Sequence, residues 1–278
     1  MSNSSFVDLI ASVAKLRSPN GCPWDRAQDH KSLRKHLLEE TYEVLELLDQ
    51  ADSSNESWPK DLKEELGDLL LQILLHSRIA EEENLFSILD VAQELNAKLI
   101  RRHPHVFSDA KANTAHEALE NWEAQKALEH ADHNILDGIP NDLPALQKSL
   151  KVIDKVSKVG FQWPDLAGPW DKLHEEIKEL KAELDAIAPV EELTRSSFQG
   201  VEQEKKEQLE NELGDVLFSL ANIAHFAGIN PEDALRSMLR RFTTRFQYVE
   251  QCVKQRQKPW KDYTLDELDH FWKEAKRR

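Results

Sequence analysis

Glu39-Glu40-Thr41-Tyr42-Glu43, followed by Glu65-Leu66-Gly67-Asp68, is the stretch that decides the fold, because the chain writes it twice. Glu175-Glu176-Ile177-Lys178-Glu179 and Glu212-Leu213-Gly214-Asp215 repeat the same order in the second half. A single acidic cluster on a helix usually means only a solvated face. Two copies with one internal order mean a duplicated unit built around carboxylates, and clustered carboxylates usually serve a hard cation.

Helical periodicity surrounds both copies and convincing period-two strand patterns are missing, so an all-α fold is expected. Eight glycines in 278 residues also leave little room for a hairpin-rich β architecture. In the first half the periodicity predicts helices over residues 6–16, 33–49, 58–84, 86–102 and 115–130. A turn-rich segment, Ser18 to Asp25, and a polar turn, Ser53 to Ser57, separate them. Asn134, Asp137-Gly138, Pro140-Asn141 and Pro144 mark residues 132–144 as the connection between domains 1–131 and 145–278. The second half opens on a turn-rich stretch at Gly160 to Asp165 and continues with helices over 170–187, 202–227, 231–255 and 265–278. The first motif recurs at an offset of 136 positions (Glu39 to Glu175) and the second at 147 (Glu65 to Glu212). The second hairpin is therefore 11 residues longer, and Pro189, Ser196-Ser197 and Gly200 place the excess in a longer loop.

A helical wheel at about 100° per residue sorts the acids. Leu33, Leu37, Thr41, Val44 and Leu48 form one stripe, with Glu40 and Glu43 on its flank and Glu39 and Glu46 nearly opposite. Leu62, Leu66, Leu69 and Ile73 form the next, flanked by Glu65 and Asp68. The second half repeats the arrangement with Glu176 and Glu179 beside Leu173, Ile177, Leu180 and Leu184, and with Glu212 and Asp215 beside Leu209, Leu213, Val216 and Leu220. Short connections make consecutive helices antiparallel neighbours, so each half can gather four carboxylates. Like charges about 4 Å apart repel by roughly 4 kcal/mol per pair at an effective dielectric of about 20. Such a cluster needs protons or a cation, and oxygen donors without Cys or His favour magnesium or manganese over zinc. Gly67 and Gly214, each costing about 1 kcal/mol relative to alanine inside a helix, are expected to let a neighbouring helix or a ligand come close.

Composition narrows the function. With 51 acidic and 36 basic residues the formal charge is −15, which disfavours a broad role on nucleic-acid polymers or anionic membranes. Cys22 and Cys252 stand apart without metal-type spacing, as in a reducing compartment. The polar start and the interrupted apolar run after it do not read as a leader, and no stretch approaches a membrane span. A cytoplasmic location is expected.

Gly21-Cys22-Pro23-Trp24-Asp25, Leu38-Glu39-Glu40-Thr41-Tyr42-Glu43, Glu65-Leu66-Gly67-Asp68 and Arg101-Arg102-His103-Pro104-His105-Val106-Phe107 carry a further signal. With these motifs the chain resembles, along nearly its whole length, the two-copy form of the MazG nucleoside triphosphate pyrophosphohydrolases. The resemblance implies two tandem all-α domains whose helices pair into a four-helix-bundle-like core within a homodimer. It implies Mg²⁺-dependent cleavage (Mn²⁺ as a possible substitute) of NTPs or dNTPs to NMP or dNMP and pyrophosphate. It assigns the metal to Glu40, Glu43, Glu65 and Asp68, and again to Glu176, Glu179, Glu212 and Asp215, the sets that the wheel also selects. Catalysis is placed on Glu40, Glu43, Glu176 and Glu179, with the general base left open. Nucleotide contacts are implied for Asn96, Lys98, Arg102, Trp122 and Lys126.

In the second half Arg241, Arg245, Trp272 and Lys276 fit that basic pattern, while Leu239 stands where Asn is expected, Arg241 replaces Lys, and Thr244 replaces Arg. Arg for Lys keeps the charge with a different geometry. Trp122 and Trp272 read equally as core residues, and His103 and His105 read as a helix cap around Pro104. Three alternatives stand beside this reading. A di-iron bundle would need Glu-x-x-His, which neither acidic motif supplies. A deoxyuridine- or deoxycytidine-specific all-α pyrophosphatase fits the Arg-Arg-His-Pro-His-Val-Phe segment less well. A non-catalytic helical adaptor or nucleotide sensor remains the alternative from outside the enzymes.

Overall fold

A computed structural model describes residues 4–49, 56–129 and 134–277. The chain divides into two compact units, Met1–Asp132 and His133–Arg278. Among the described residues both are α-helical without a strand. The positions 53–55 of the expected polar turn, residues 132–133 of the expected connection, the expected domain end at residue 131, and the expected helix ends at His130 and Arg278 lie outside the described residues.

The first unit contains α1 (Ser4–Leu16), a single turn α2 (Pro23–Arg26), α3 (His30–Asp49), α4 (Trp58–Glu82), α5 (Ile88–Arg102), a second single turn α6 (Pro104–Phe107) and α7 (Ala115–Glu129). Leu, Glu, Lys and Arg dominate α3, all good helix formers. Pro59 sits in the first turn of α4, where its missing N–H costs nothing. Ser87 and Asp90 close a capping box at the start of α5. The long hairpin α3–α4 is pinned at its closed end by Trp58 Nε1, which donates to the Leu47 carbonyl at 2.8 Å. Its core joins Val13 of α1, Leu33 of α3, and Leu74, Leu75 and Ile79 of α4. Arg17, almost fully buried, donates to the Gln28 carbonyl at 3.0 Å and pairs with Glu82 at 2.9 Å. It thereby fastens the loop that leads into α3 onto the far end of α4.

The second unit contains α8 (Ala145–Ser157), α9 (Ala167–Asp185), α10 (Gln203–Phe226), α11 (Pro231–Arg256) and α12 (Leu265–Ala275). Helix α8 is an addition to the sequence reading. Leu146, Leu150 and Ile153 give it a helical stripe, and it follows Pro144 directly. The stretch 134–144 is tied to α8, because Lys155 Nζ donates to the carbonyls of Ile135 (3.0 Å) and Asp137 (2.8 Å). The extra loop between α9 and α10 contains two 3₁₀ turns, Val190–Glu192 and Arg195–Phe198. Val249, Val253, Tyr263 and Phe271 form a core cluster between α11 and α12.

The apolar stripe read from the wheel is only partly inward. Leu33, Val44 and Leu173 are buried, but Leu66 and Ile73 of α4, Ile177 of α9, and Leu213 and Leu220 of α10 are roughly 40–50 % exposed. On α4 the buried face belongs to Leu74, Leu75, Ile79 and Ala80. Period alone defines a stripe, and which neighbour covers it is a tertiary fact.

One packing feature carries a pH prediction. His30 and His76 face each other with parallel rings and Nδ1 atoms 2.8 Å apart, and His76 Nε2 is buried without a hydrogen-bond partner among the described residues. Burial, and then the charge of His30, hold the His76 imidazole below its ordinary range. An unfolded chain therefore takes up a proton there before the folded chain does, and stability declines as pH falls below about 6.5. Melting of wild type and His76→Leu at pH 8 and pH 5.5 reads this. The wild type is expected to lose more on acidification, and parallel losses would refute it.

Candidate metal centre

Helices α3 and α4 bring Glu40, Glu43 and Glu65 together, with one carboxylate oxygen from each lying within 4.8 Å of the others. Glu40 and Glu43 stand three residues apart on α3, and Glu65 meets them from α4 across the antiparallel hairpin. Asp68 lies outside this triad but close enough for its charge to act on Glu40 and Glu65. Burial first, then a hydrogen bond with Glu43 and the charges of Glu43, Asp68 and Glu65, push the Glu40 carboxyl up. Glu65 is pushed the same way by desolvation and by the charges of Glu43, Asp68, Glu64 and Asp61.

The second unit repeats the triad with Glu176 and Glu179 of α9 and Glu212 of α10, again within 4.8 Å. Asp215 lies outside it. Desolvation and a hydrogen bond with Glu176 push Glu179 up. Glu176 is buried, with 5 % of its surface exposed, and Lys172 Nζ sits 2.6 Å from its Oε1 and 2.8 Å from Glu175 Oε1. Lys172 is absent from the sequence reading, although its i,i+4 spacing to Glu176 is visible there.

Repelling carboxylates on two helices raise the energy of the hairpin and store affinity for a cation. The donor set fits a hard divalent ion such as Mg²⁺ or Mn²⁺, for each triad offers three carboxylate oxygens and no sulfur or imidazole. A Cβ added to Gly67 or Gly214 would meet no atom within 4 Å. The neighbouring helix expected at these glycines is therefore not supplied by the described residues, and the space beside the acids is open. Alanine at either position should stabilise the helix by about 0.5–1 kcal/mol. We expect Gly67→Ala and Gly214→Ala to raise the melting temperature while lowering catalytic activity. Unchanged activity would show that nothing needs to come close there.

The basic residues form separate groups. Lys98 lines a cleft of about 520 Å³ with Phe86, Asp90, Val91, Glu94 and Leu95. Asn96 is exposed on the same helix. Arg102 lies 5.3 Å above the Trp122 ring and Lys126 5.0 Å from it. Arg102 is also held by Glu129 at 3.1 Å, as is Arg101 at 2.7 Å, and these bonds pull the Glu129 carboxyl down to about 2. In the second unit Arg245 lies 5.9 Å from the Trp272 ring, Arg241 donates to Ser237 Oγ at 3.0 Å, and Lys276 closes α12. Trp272 packs on the Val249–Phe271 core cluster and against Phe242, as its core reading expects. His103 Nδ1 lies 2.7 Å from the Leu99 carbonyl and its backbone N–H closes α5, so it does act as the helix cap.

Comparison with known proteins bears on both triads. A model of the MazG nucleotide pyrophosphohydrolase domain matches residues 28–107 and again 170–249. The chain is 37 % identical over 273 residues to the Thermotoga maritima protein named nucleoside triphosphate pyrophosphohydrolase/pyrophosphatase MazG, covering 98 % of this chain and 95 % of that one. It is 37 % identical over 274 residues to the nucleoside triphosphate pyrophosphohydrolase of Escherichia coli K12, covering 97 % and 96 %. It is also 40 % identical over 273 residues to YabN of Bacillus subtilis, of which it spans 51 %.

Proposed function

The chain belongs to the MazG nucleotide pyrophosphohydrolase family, and from that premise we propose that it hydrolyses nucleoside triphosphates, ribo or deoxy, to the monophosphate and pyrophosphate, in each repeat through a Mg²⁺ centre. The observation that carries the reading is the duplicated triad, three carboxylates from two antiparallel helices within 4.8 Å in both units. Glu40, Glu43, Glu65 and Asp68 hold the cation in the first repeat, and Glu176, Glu179, Glu212 and Asp215 in the second, with Mn²⁺ able to substitute. The bound ion supplies charge neutralisation to the phosphates and a more acidic water.

The side chains do the rest. Glu40, Glu43, Glu176 and Glu179 are the candidates to accept a proton from a water beside them, and burial with neighbouring carboxylates raises Glu40 and Glu179 toward that role. Asn96, Lys98, Arg102 and Lys126, and in the second repeat Arg241, Arg245 and Lys276, bind phosphate oxygens, where guanidinium forks give directed contacts. Trp122 and Trp272 offer ring faces to the base. Arg102 must exchange its Glu129 partner for phosphate when it does so.

A homodimer follows the same logic. Leu66 and Ile73 on α4 and Leu213 and Leu220 on α10 occupy equivalent, exposed places beside the two triads, and an exposed apolar helix face of this kind fits a four-helix bundle made with a second copy. Among the described residues no helix is long and apolar enough to cross a membrane. The formal charge of −15 fits an enzyme acting on free nucleotides and not on nucleic-acid polymers, and a cytoplasmic location belongs to the same reading. Chromatography of products from a panel of NTPs and dNTPs with Mg²⁺ tests the reaction. Nucleoside monophosphate and pyrophosphate are expected in equal amounts. Diphosphate with inorganic phosphate, or no turnover of any nucleotide, would overturn the proposal.

A further inference from the structure

We propose that Lys172 is a built-in counter-cation of the second carboxylate set, which a divalent ion must displace, so that the two sets of one chain differ in metal affinity. The inference rests on the reading of both sets as metal centres. Glu176 is the most buried acid of its triad. A carboxylate taken out of water beside two others is costly unless a positive group answers it. Lys172, one helical turn earlier on α9, does so from 2.6 Å while also reaching Glu175 at 2.8 Å. Its side chain is 39 % exposed, so the ammonium can return to water when an ion takes its place.

Among the described residues the first set lacks this device. The residue four positions before Glu40 is His36, and its Nδ1 turns to Glu39 Oε2 at 2.9 Å, while its ring meets Trp24 edge-on at 6.0 Å. The neighbours that act on Glu40 are the carboxylates Glu43, Asp68 and Glu65. One set is thus an open cluster of mutually repelling acids, and the other is partly neutralised by its own helix. An ion entering the first gains the full relief of that repulsion. An ion entering the second must first break an ion pair.

The test is Mn²⁺ binding to the full chain without nucleotide, followed by the loss of the free-ion signal in electron paramagnetic resonance. Two classes of site are expected in the wild type, with the tighter class removed by Glu40→Gln/Glu43→Gln and the weaker by Glu176→Gln/Glu179→Gln. With the first set silenced, Lys172→Gln is expected to tighten the remaining site about tenfold, and Lys172→Arg to leave it unchanged. Equal classes in the wild type, or no gain with Lys172→Gln when its melting shows a folded chain, would overturn the proposal. Mn²⁺ binding that neither glutamate pair removes would overturn the metal-centre reading itself, and this proposal with it.

Discussion

Replacing Glu40, Glu43, Glu176 and Glu179 together by glutamine is expected to lower pyrophosphate release by about a thousandfold or more, equivalent to about 4 kcal/mol of lost transition-state stabilisation. The Glu40→Gln/Glu43→Gln pair alone is expected to melt higher than wild type in EDTA, because two charges that repel their neighbours become neutral amides of nearly the same shape. Glu176→Gln, by contrast, also breaks the ion pair with Lys172. The melting of the first pair separates loss of a site from loss of a fold, since a misfolded chain would melt lower. The stabilisation that Mg²⁺ gives the wild type should vanish in the fourfold variant, for a ligand stabilises only the state that binds it. Activity assays on Glu40→Gln/Glu43→Gln and Glu176→Gln/Glu179→Gln separately then apportion turnover between the repeats. Retained activity in the fourfold variant would place the chemistry elsewhere.

Phe271→Ala is expected to produce the largest loss of stability, about 3–5 kcal/mol in the second unit. Phe271 has no exposed surface and packs with Val249, Val253 and Tyr263, so its removal leaves a cavity where α12 joins α11. Trp272 packs against the same cluster, and its fluorescence should report the weakened docking during denaturant unfolding. A midpoint within a few tenths of a kcal/mol of wild type would show that α12 is not anchored there. The consequence reaches function, because Trp272 and Lys276 ride on this helix and are the second repeat's candidates for nucleotide contact.

Much of the architecture is legible in the sequence because its signals are local. Long runs at period 3.6 define α3, α4, α9, α10 and α11 to within a few residues. The wheel places Glu40, Glu43 and Glu65 on flanks that the hairpin then brings together, as it does for Glu176, Glu179 and Glu212. Asp68 and Asp215 share those flanks but stand outside the triads, although the charge of Asp68 acts on Glu40 as that of Glu65 does.

What is not legible depends on tertiary context. Helix α8 follows a turn-rich stretch ending at Pro144, so its short stripe is easily read as the tail of the connection. Leu66, Ile73, Leu213 and Leu220 have the period of a core face yet remain exposed, because periodicity records a need for cover and not its source. The capture of Arg102 by Glu129 joins residues 27 positions apart and has no sequence signature. Lys172 is the opposite case. Its place four residues before Glu176 is written in the chain, but burial of that glutamate gives the spacing its meaning.

The most direct test is anomalous diffraction from crystals grown with Mn²⁺, with data collected on both sides of the manganese absorption edge. The account predicts peaks between the carboxylates of Glu40, Glu43 and Glu65 and between those of Glu176, Glu179 and Glu212. Crystals of chain active with Mn²⁺ whose only peaks lay away from both triads would contradict it.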